Sequence, residues 1–285
     1  MSLLLNADQL ANSPDDGKLV IVDCRFNLLA PEAGRDMWQE AHIPGAFYAD
    51  LDKDLAGPVT ATSGRHPLPD PEGFSRLLGS WGVRPDTTVV AYDDVGGAVA
   101  ARLWWLLRWV GHPHVGLLNG GWQAWLASGL PTDSNIPELL SACYPVIPGS
   151  MPTISIDEVQ QGLGSGELTL LDARDTKRFA GKSEPIDTRA GHIPGAWNRP
   201  FQANLAKDKQ FLSTDKLCRE FDALITAQRA TQLASMCGSG VTACHNLFAM
   251  ELAGITSDSG APAALYVGSW SEWLRSPDRP CEPAD

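Results

Sequence analysis

The segment Met236-Cys237-Gly238-Ser239-Gly240-Val241-Thr242-Ala243 gathers the residue types in this chain best suited to chemistry. A cysteine opens it, two glycines let the backbone curl, and a hydroxyl stands two positions after the sulfur. In such a curl successive N–H groups point inward and form a nest that attracts anions. A helix beginning at the same place adds the positive end of its dipole. Both effects favour thiolate over thiol, and the thiolate is the nucleophile. Cys237 is therefore the candidate nucleophile, and Gly238, Gly240, Val241 and Thr242 are candidate substrate contacts around it. The chemistry is nucleophilic attack by sulfur on a bound anion.

Positioning such a loop takes a buried strand before it and a helix after it. The apolar run at 233–236 predicts the strand, and the pattern at 244–252 predicts the helix. Three other motifs occur twice. Asp23-Cys24-Arg25 is matched by Asp172-Ala173-Arg174. His42-Ile43-Pro44-Gly45-Ala46 is matched by His192-Ile193-Pro194-Gly195-Ala196, and the pair Trp122, Trp125 by Trp270, Trp273. All three pairs are 148 to 150 residues apart and in the same order, which implies a duplicated domain. Strands and helices alternate within each copy, so the expected class is α/β, with a parallel sheet carrying helices on both faces in each domain. The expected boundaries are 1–131 and 153–285, joined by a linker over 132–152 where prolines suppress regular structure.

The copies differ at the reactive loop. Its counterpart is Tyr92-Asp93-Asp94-Val95-Gly96-Gly97-Ala98, and no cysteine stands between Cys24 and Cys143. The first domain cannot run thiol chemistry there, so its expected role is that of a scaffold.

Composition narrows the partners. A formal net charge of −12, divided −8 over residues 1–148 and −4 over 149–285, argues against nucleic acid and anionic membrane. The six cysteines form no C-x-x-C pair and are too sparse for a disulfide framework. Residues 1–8 lack a basic, signal-like start, and the apolar tract 103–111 is half a membrane span. The expectation is a soluble, cytoplasmic protein with no metal or organic cofactor.

The paired Asp-x-Arg strand ends, the two His-Ile-Pro-Gly-Ala turns, the Trp-x-x-Trp-Leu segments and the Cys237 loop together resemble the two-domain sulfurtransferases of the rhodanese superfamily, over nearly the whole chain. Cys-Gly-Ser-Gly-Val-Thr is similar to the loop of members that use 3-mercaptopyruvate, whereas thiosulfate-using members typically place Arg and Lys after the cysteine. The resemblance implies transfer of sulfur through a persulfide on Cys237 to a thiol acceptor, such as a thioredoxin-like protein or a small thiol, or to cyanide. It further implies a Ser239, His66 and Asp52 relay and a carboxylate clamp at Arg178, with Arg189 as a second arginine. Three alternatives stand beside it: a thiosulfate-preferring enzyme, a non-enzymatic persulfide carrier or redox sensor, and a C-x5-R phosphatase. The last fails because Ala243 occupies the arginine position.

Overall fold

The computed structural model describes residues 2–14, 16–227 and 230–283. The chain forms two compact units. The first comprises Met1–Gly57, Leu68–Ser150 and Lys207–Phe211; the second comprises Pro58–Pro67, Met151–Ala206 and Leu212–Asp285. Each unit therefore incorporates a short segment from the other half of the sequence.

In the first unit the elements run β1 (Leu4–Leu5), α1 (Ala7–Ala11), β2 (Leu19–Asp23), α2 (Ala33–Glu40), β3 (Phe47–Tyr48), α3 (Pro71–Ser80), β4 (Thr88–Tyr92), α4 (Ala100–Trp109), β5 (Val115–Leu118) and α5 (Gly121–Ala127). The second has α6 (Ile156–Ser165), β6 (Leu168–Asp172), α7 (Thr176–Phe179), β7 (Trp197–Asn198), a 3₁₀ turn (Phe201–Asn204), α8 (Thr214–Thr226), β8 (Gln232–Met236), α9 (Thr242–Ala253), β9 (Ala264–Leu265) and α10 (Ser269–Trp273). The sheets are parallel, with strand orders β1-β5-β4-β2-β3 and β7-β6-β8-β9. Tandem parallel sheets with helices are the architecture that the alternating pattern predicts.

Local sequence explains where the helices begin. At the start of α1 the side-chain oxygens of Asn6 and Gln9 each accept the other's backbone N–H, and those of Ser155 and Glu158 do the same for α6. Two orphan N–H groups are satisfied at each end. In α4 every residue but Arg108 is buried, as expected of a helix apolar nearly all round. Strand alternation divides the second core. Leu168, Leu170, Ala234 and Met236 pack with Val159 of α6 and with Tyr266, Trp270 and Trp273, while α9 packs on β8 and α8 on α9.

The three duplicated motifs meet in one contact in each unit. Arg25 binds the Asp23 carboxylate at 2.6 Å, donates to the Ala41 carbonyl at 2.6 Å and lies over the Trp122 ring at 4.6 Å. Arg174 repeats this with Asp172 at 2.6 Å, Gly191 O at 2.8 Å and the Trp270 ring at 4.6 Å. One arginine thus ties the strand end, the turn and the C-terminal helix together. Because both units have this contact, its first role is architectural. The turn histidines contribute to the same corner: His42 Nδ1 lies 2.6 Å from Trp38 O, and His192 stacks on Phe179 at 3.8 Å between centroids.

The proline-rich stretch after α5 runs along the first unit. Backbone bonds join Asp133 to His42, Leu140 to Ser80, Tyr144 to Ser75 and Ile147 to Val110.

Candidate active site

Cys237 follows directly on β8, where Met236 is in register with Asp172 of β6. Its side chain is buried, at 2% exposure. The loop that holds it is fixed from two sides. Its N–H donates to Ser269 Oγ at 3.1 Å, and its carbonyl accepts from Trp270 N at 3.0 Å. The Gly238 carbonyl accepts from Ser271 N at 2.9 Å. The Ser239 N–H points at Cys237 Sγ, 3.5 Å away, so one amide of the curl faces the sulfur as the glycine spacing predicts. Gly240 has φ +78°, and a Cβ there would fall 2.5 Å from Val267 O. Only glycine turns the chain at this point. Beyond it Val241 and Thr242 open α9, whose N-terminus lies beside the loop.

The first unit shows what such a loop holds. Asp93 follows β4 as Cys237 follows β8, and its carbonyl accepts from Trp122 N as Cys237 O does from Trp270. Its carboxylate is fully buried and accepts from the amides of Val95, Gly97, Val99 and Ala100 at 2.8–2.9 Å. Burial pushes this carboxyl up, and the four amides pull against that rise. The nest therefore accepts an anion, and in the first unit the chain itself supplies it.

Segment 58–67 brings a second set of groups to the cysteine. A Cβ on Gly64 would lie 2.3 Å from Gly268 O, so the chain can approach α10 closely only with glycine there. Arg65 N then donates to Ser271 Oγ at 2.9 Å. The next residue, His66, is buried and places Nδ1 2.7 Å from Ser239 Oγ. The hydroxyl and the imidazole of the expected relay are thus in direct contact.

Two arginines lie over the loop. A Cβ on Gly238 would be 3.3 Å from Arg65 Nη2 and 3.7 Å from both Arg178 terminal nitrogens. Residue 238 is therefore glycine where any side chain would press on a guanidinium. Arg178, on α7, is bound by Glu184 at 2.8 Å and by Asp187 Oδ2 at 2.9 Å. Asp187 Oδ1 accepts from Arg65 at 2.7 Å. Burial raises Glu184, but Arg178 and the backbone amides of Asp187 and Ile186 outweigh it and hold the carboxyl below its ordinary range. Arg174 is disfavoured as a cation by burial, yet Asp172, Glu184 and Cys237 together hold its pKa above the ordinary value.

The structure thus brings Cys237, Gly238, Ser239, Gly240, His66 and Arg178 into one cluster. Arg189 differs: its side chain is exposed and donates to the carbonyls of Pro277 and Arg279, each at 3.4 Å. Asp52 belongs to the first unit, in an exposed turn after β3, where its N–H donates to the buried Asp50 carboxylate at 3.0 Å. Arg65, Glu184 and Asp187 are members that the sequence reading missed. Arg65 directly precedes His66, and Asp187 lies between the two arginines singled out, so adjacency is the signal that could have flagged them. Among the described residues, no three His, Cys, Asp or Glu side chains converge to hold a metal ion, and no helix is long and apolar enough to cross a membrane.

A parallel α/β unit whose cysteine-centred nest closes a strand, present twice with a single cysteine copy, defines a class that sequence comparison identifies. Residues 6–128 and 155–276 each match the Rhodanese-like domain, and the chain belongs to that family. A Pseudomonas aeruginosa protein named "Probable 3-mercaptopyruvate sulfurtransferase" is 46% identical over 284 residues, covering 99% of this chain and 98% of its own. The thiosulfate sulfurtransferase of Bos taurus is 33% identical over 282 residues, 95% of this chain and 91% of that one. Among solved structures, the 3-mercaptopyruvate sulfurtransferase of Leishmania major superposes with a TM-score of 0.82 at 30% identity, over 95% of this chain and 74% of that one.

Proposed function

We propose that this chain is a sulfurtransferase that takes sulfur from 3-mercaptopyruvate, holds it as a persulfide on Cys237, and passes it to a thiol. The observation that carries the reading is the position of Arg65 and Arg178 beside an uncharged Cys-Gly-Ser loop. A donor whose charge lies on a carboxylate a few atoms from its sulfur fits that layout. The carboxylate binds the two guanidiniums, and the sulfur falls towards Cys237.

Cys237 thiolate attacks the donor sulfur, and a new S–S bond forms as the C–S bond breaks. The electron pair leaves with the three-carbon fragment as the pyruvate enolate, which needs one proton at carbon. In this reading Ser239 Oγ supplies it and the imidazole restores the hydroxyl proton, a role supported by the 2.7 Å contact between Ser239 Oγ and His66 Nδ1. Asp52 is proposed to support the imidazole, on the strength of the family resemblance alone. Acceptor thiolate then attacks the outer sulfur, and Cys237 leaves as thiolate.

Thiosulfate is the alternative donor, and local charge disfavours it. Around the loop, Arg65, Arg174 and Arg178 are matched by Asp172, Glu184 and Asp187. A compact dianion finds no net positive field there. Steady-state kcat/KM for both donors tests the reading, with pyruvate release and one added sulfur on the Cys237 peptide as readouts. Catalytic pyruvate release also separates an enzyme from a passive carrier. A thiosulfate kcat/KM equal to or above that for mercaptopyruvate would overturn the donor assignment.

A further inference from the structure

The second unit has a crevice of about 370 Å³ beside the donor site, whose lining includes Val59, Arg65, Ile186, Ser271, Leu274 and Arg275. It reaches the reactive loop through shared residues: Arg65 Nη2 lies 3.3 Å from the Cβ position of Gly238, and Ser271 N binds the Gly238 carbonyl. Its walls combine two kinds of surface. Val59 and Ile186 are large apolar side chains left 55% and 38% exposed. Arg275 is exposed; its Nε donates to Ser63 O at 3.0 Å, and among the described residues it has no carboxylate partner. In a chain with 34 acidic and 22 basic residues, a cation without a counter-charge at the rim of a crevice is a place for a ligand's negative charge.

We propose that this crevice is the acceptor subsite, and that it takes a small thiol carrying a carboxylate several atoms from its sulfur. The inference rests on a Cys237 persulfide but not on which donor forms it. With pyruvate gone, the acceptor enters past Arg65 and lays its stem on Val59, Ile186 and Leu274. Its carboxylate pairs with Arg275. Its thiolate attacks the outer sulfur: the new bond joins acceptor sulfur to sulfane sulfur, the S–S bond to Cys237 breaks, and Cys237 leaves as thiolate. The acceptor becomes a persulfide, and no external oxidant or reductant is consumed. Arg65 serves the donor site, and Arg275 is the crevice cation that lacks a carboxylate partner among the described residues, so it is the one assigned to the acceptor.

The test separates the two half-reactions. Enzyme is loaded with sulfur by mercaptopyruvate, or by thiosulfate if mercaptopyruvate does not load it, and excess donor is removed. Single-turnover discharge is then followed with glutathione and with its diethyl ester, whose thiol is retained while both carboxylates are blocked. The ratio of the two discharge rate constants, each per unit acceptor concentration, is compared between proteins, which cancels the intrinsic reactivity of each thiol. Arg275→Ala should lower that ratio roughly three- to tenfold, the range for an exposed charge-assisted contact. Arg275→Glu should lower it further, and Arg275→Lys should restore part of it. The loading step should keep its wild-type rate constant in all three, which also reports that they fold. An unchanged ratio, equal losses for both acceptors, or a loading step slowed as much as discharge would overturn the assignment. Failure of mercaptopyruvate to load the enzyme would count against the donor reading alone.

Discussion

Asp187 Oδ1 accepts from Arg65 Nη1 at 2.7 Å, and through that bond a residue from the N-terminal half of the sequence is fixed over the cysteine loop of the C-terminal half. The other carboxylate oxygen holds Arg178, so a single side chain spaces the two guanidiniums. This pair suggests that a donor carboxylate meets a prepared fork rather than two independent cations.

The fork should show in kinetics. A charge-assisted hydrogen bond contributes about 1.5–3 kcal/mol, which corresponds to roughly 10- to 150-fold in kcat/KM. Arg65→Ala and Arg178→Ala should each cost mercaptopyruvate turnover that much, and the double variant less than the product of the two, because both act on one carboxylate. Lysine at 178 should recover only part, lacking a planar fork. Arg189→Ala should stay within about twofold of wild type, since its hydrogen bonds go to Pro277 and Arg279. Equal losses with thiosulfate would show that the arginines support the fold or the general field, not a clamp.

Asp187→Asn removes one negative charge and keeps the shape. The local field becomes more positive, so the thiosulfate to mercaptopyruvate ratio of kcat/KM should rise several-fold. A ratio that stays fixed would place donor preference elsewhere.

Ser239→Ala and His66→Gln should act on the same step. Both should lower kcat for pyruvate release by about 100-fold, in the range of general acid catalysis. Turnover with thiosulfate, whose leaving sulfite needs no proton at carbon, should fall far less. Pre-steady-state measurement of each loading step distinguishes this from a general loss of structure.

Glu184 supplies a pH prediction. Its carboxyl is held below its ordinary value of 4.5, so the ionised form is favoured in the folded chain. The stability it gives is complete above that value and is lost as pH falls through the depressed folded pKa. The stability gap between wild type and Glu184→Gln, measured by chemical denaturation, should be full at pH 7 and shrink as pH falls below about 4.5. A gap that widens on acidification would contradict the assignment.

Much of this was legible in sequence because it rests on short-range rules. The duplication, the parallel sheets and the Cys237 loop follow from motif spacing, strand composition and glycine placement. Arg65 and Asp187 were hidden for a physical reason. Their partners are 122 residues apart in the chain, and an exposed-looking loop charge gives no sign of its pair. Arg189, expected only through the family resemblance, donates to the carbonyls of Pro277 and Arg279, contacts that no local pattern around it announces. The first-unit loop carries two carboxylates and was read as lacking the cysteine. One of them is in fact the anion that the loop encloses.

That enclosed carboxylate makes the protein its own control experiment. The same peptide curl exists here twice: around the Asp93 carboxylate, which four amides bind at 2.8–2.9 Å, and around the Cys237 sulfur, which the Ser239 amide faces at 3.5 Å. A buried amide that loses its acceptor costs stability, so the curl depends more on its side chain in the first unit than in the second. Asp93→Ala should therefore destabilise the protein by about 2–5 kcal/mol in chemical denaturation, whereas Cys237→Ala should cost far less, because it removes one long amide contact rather than four short ones.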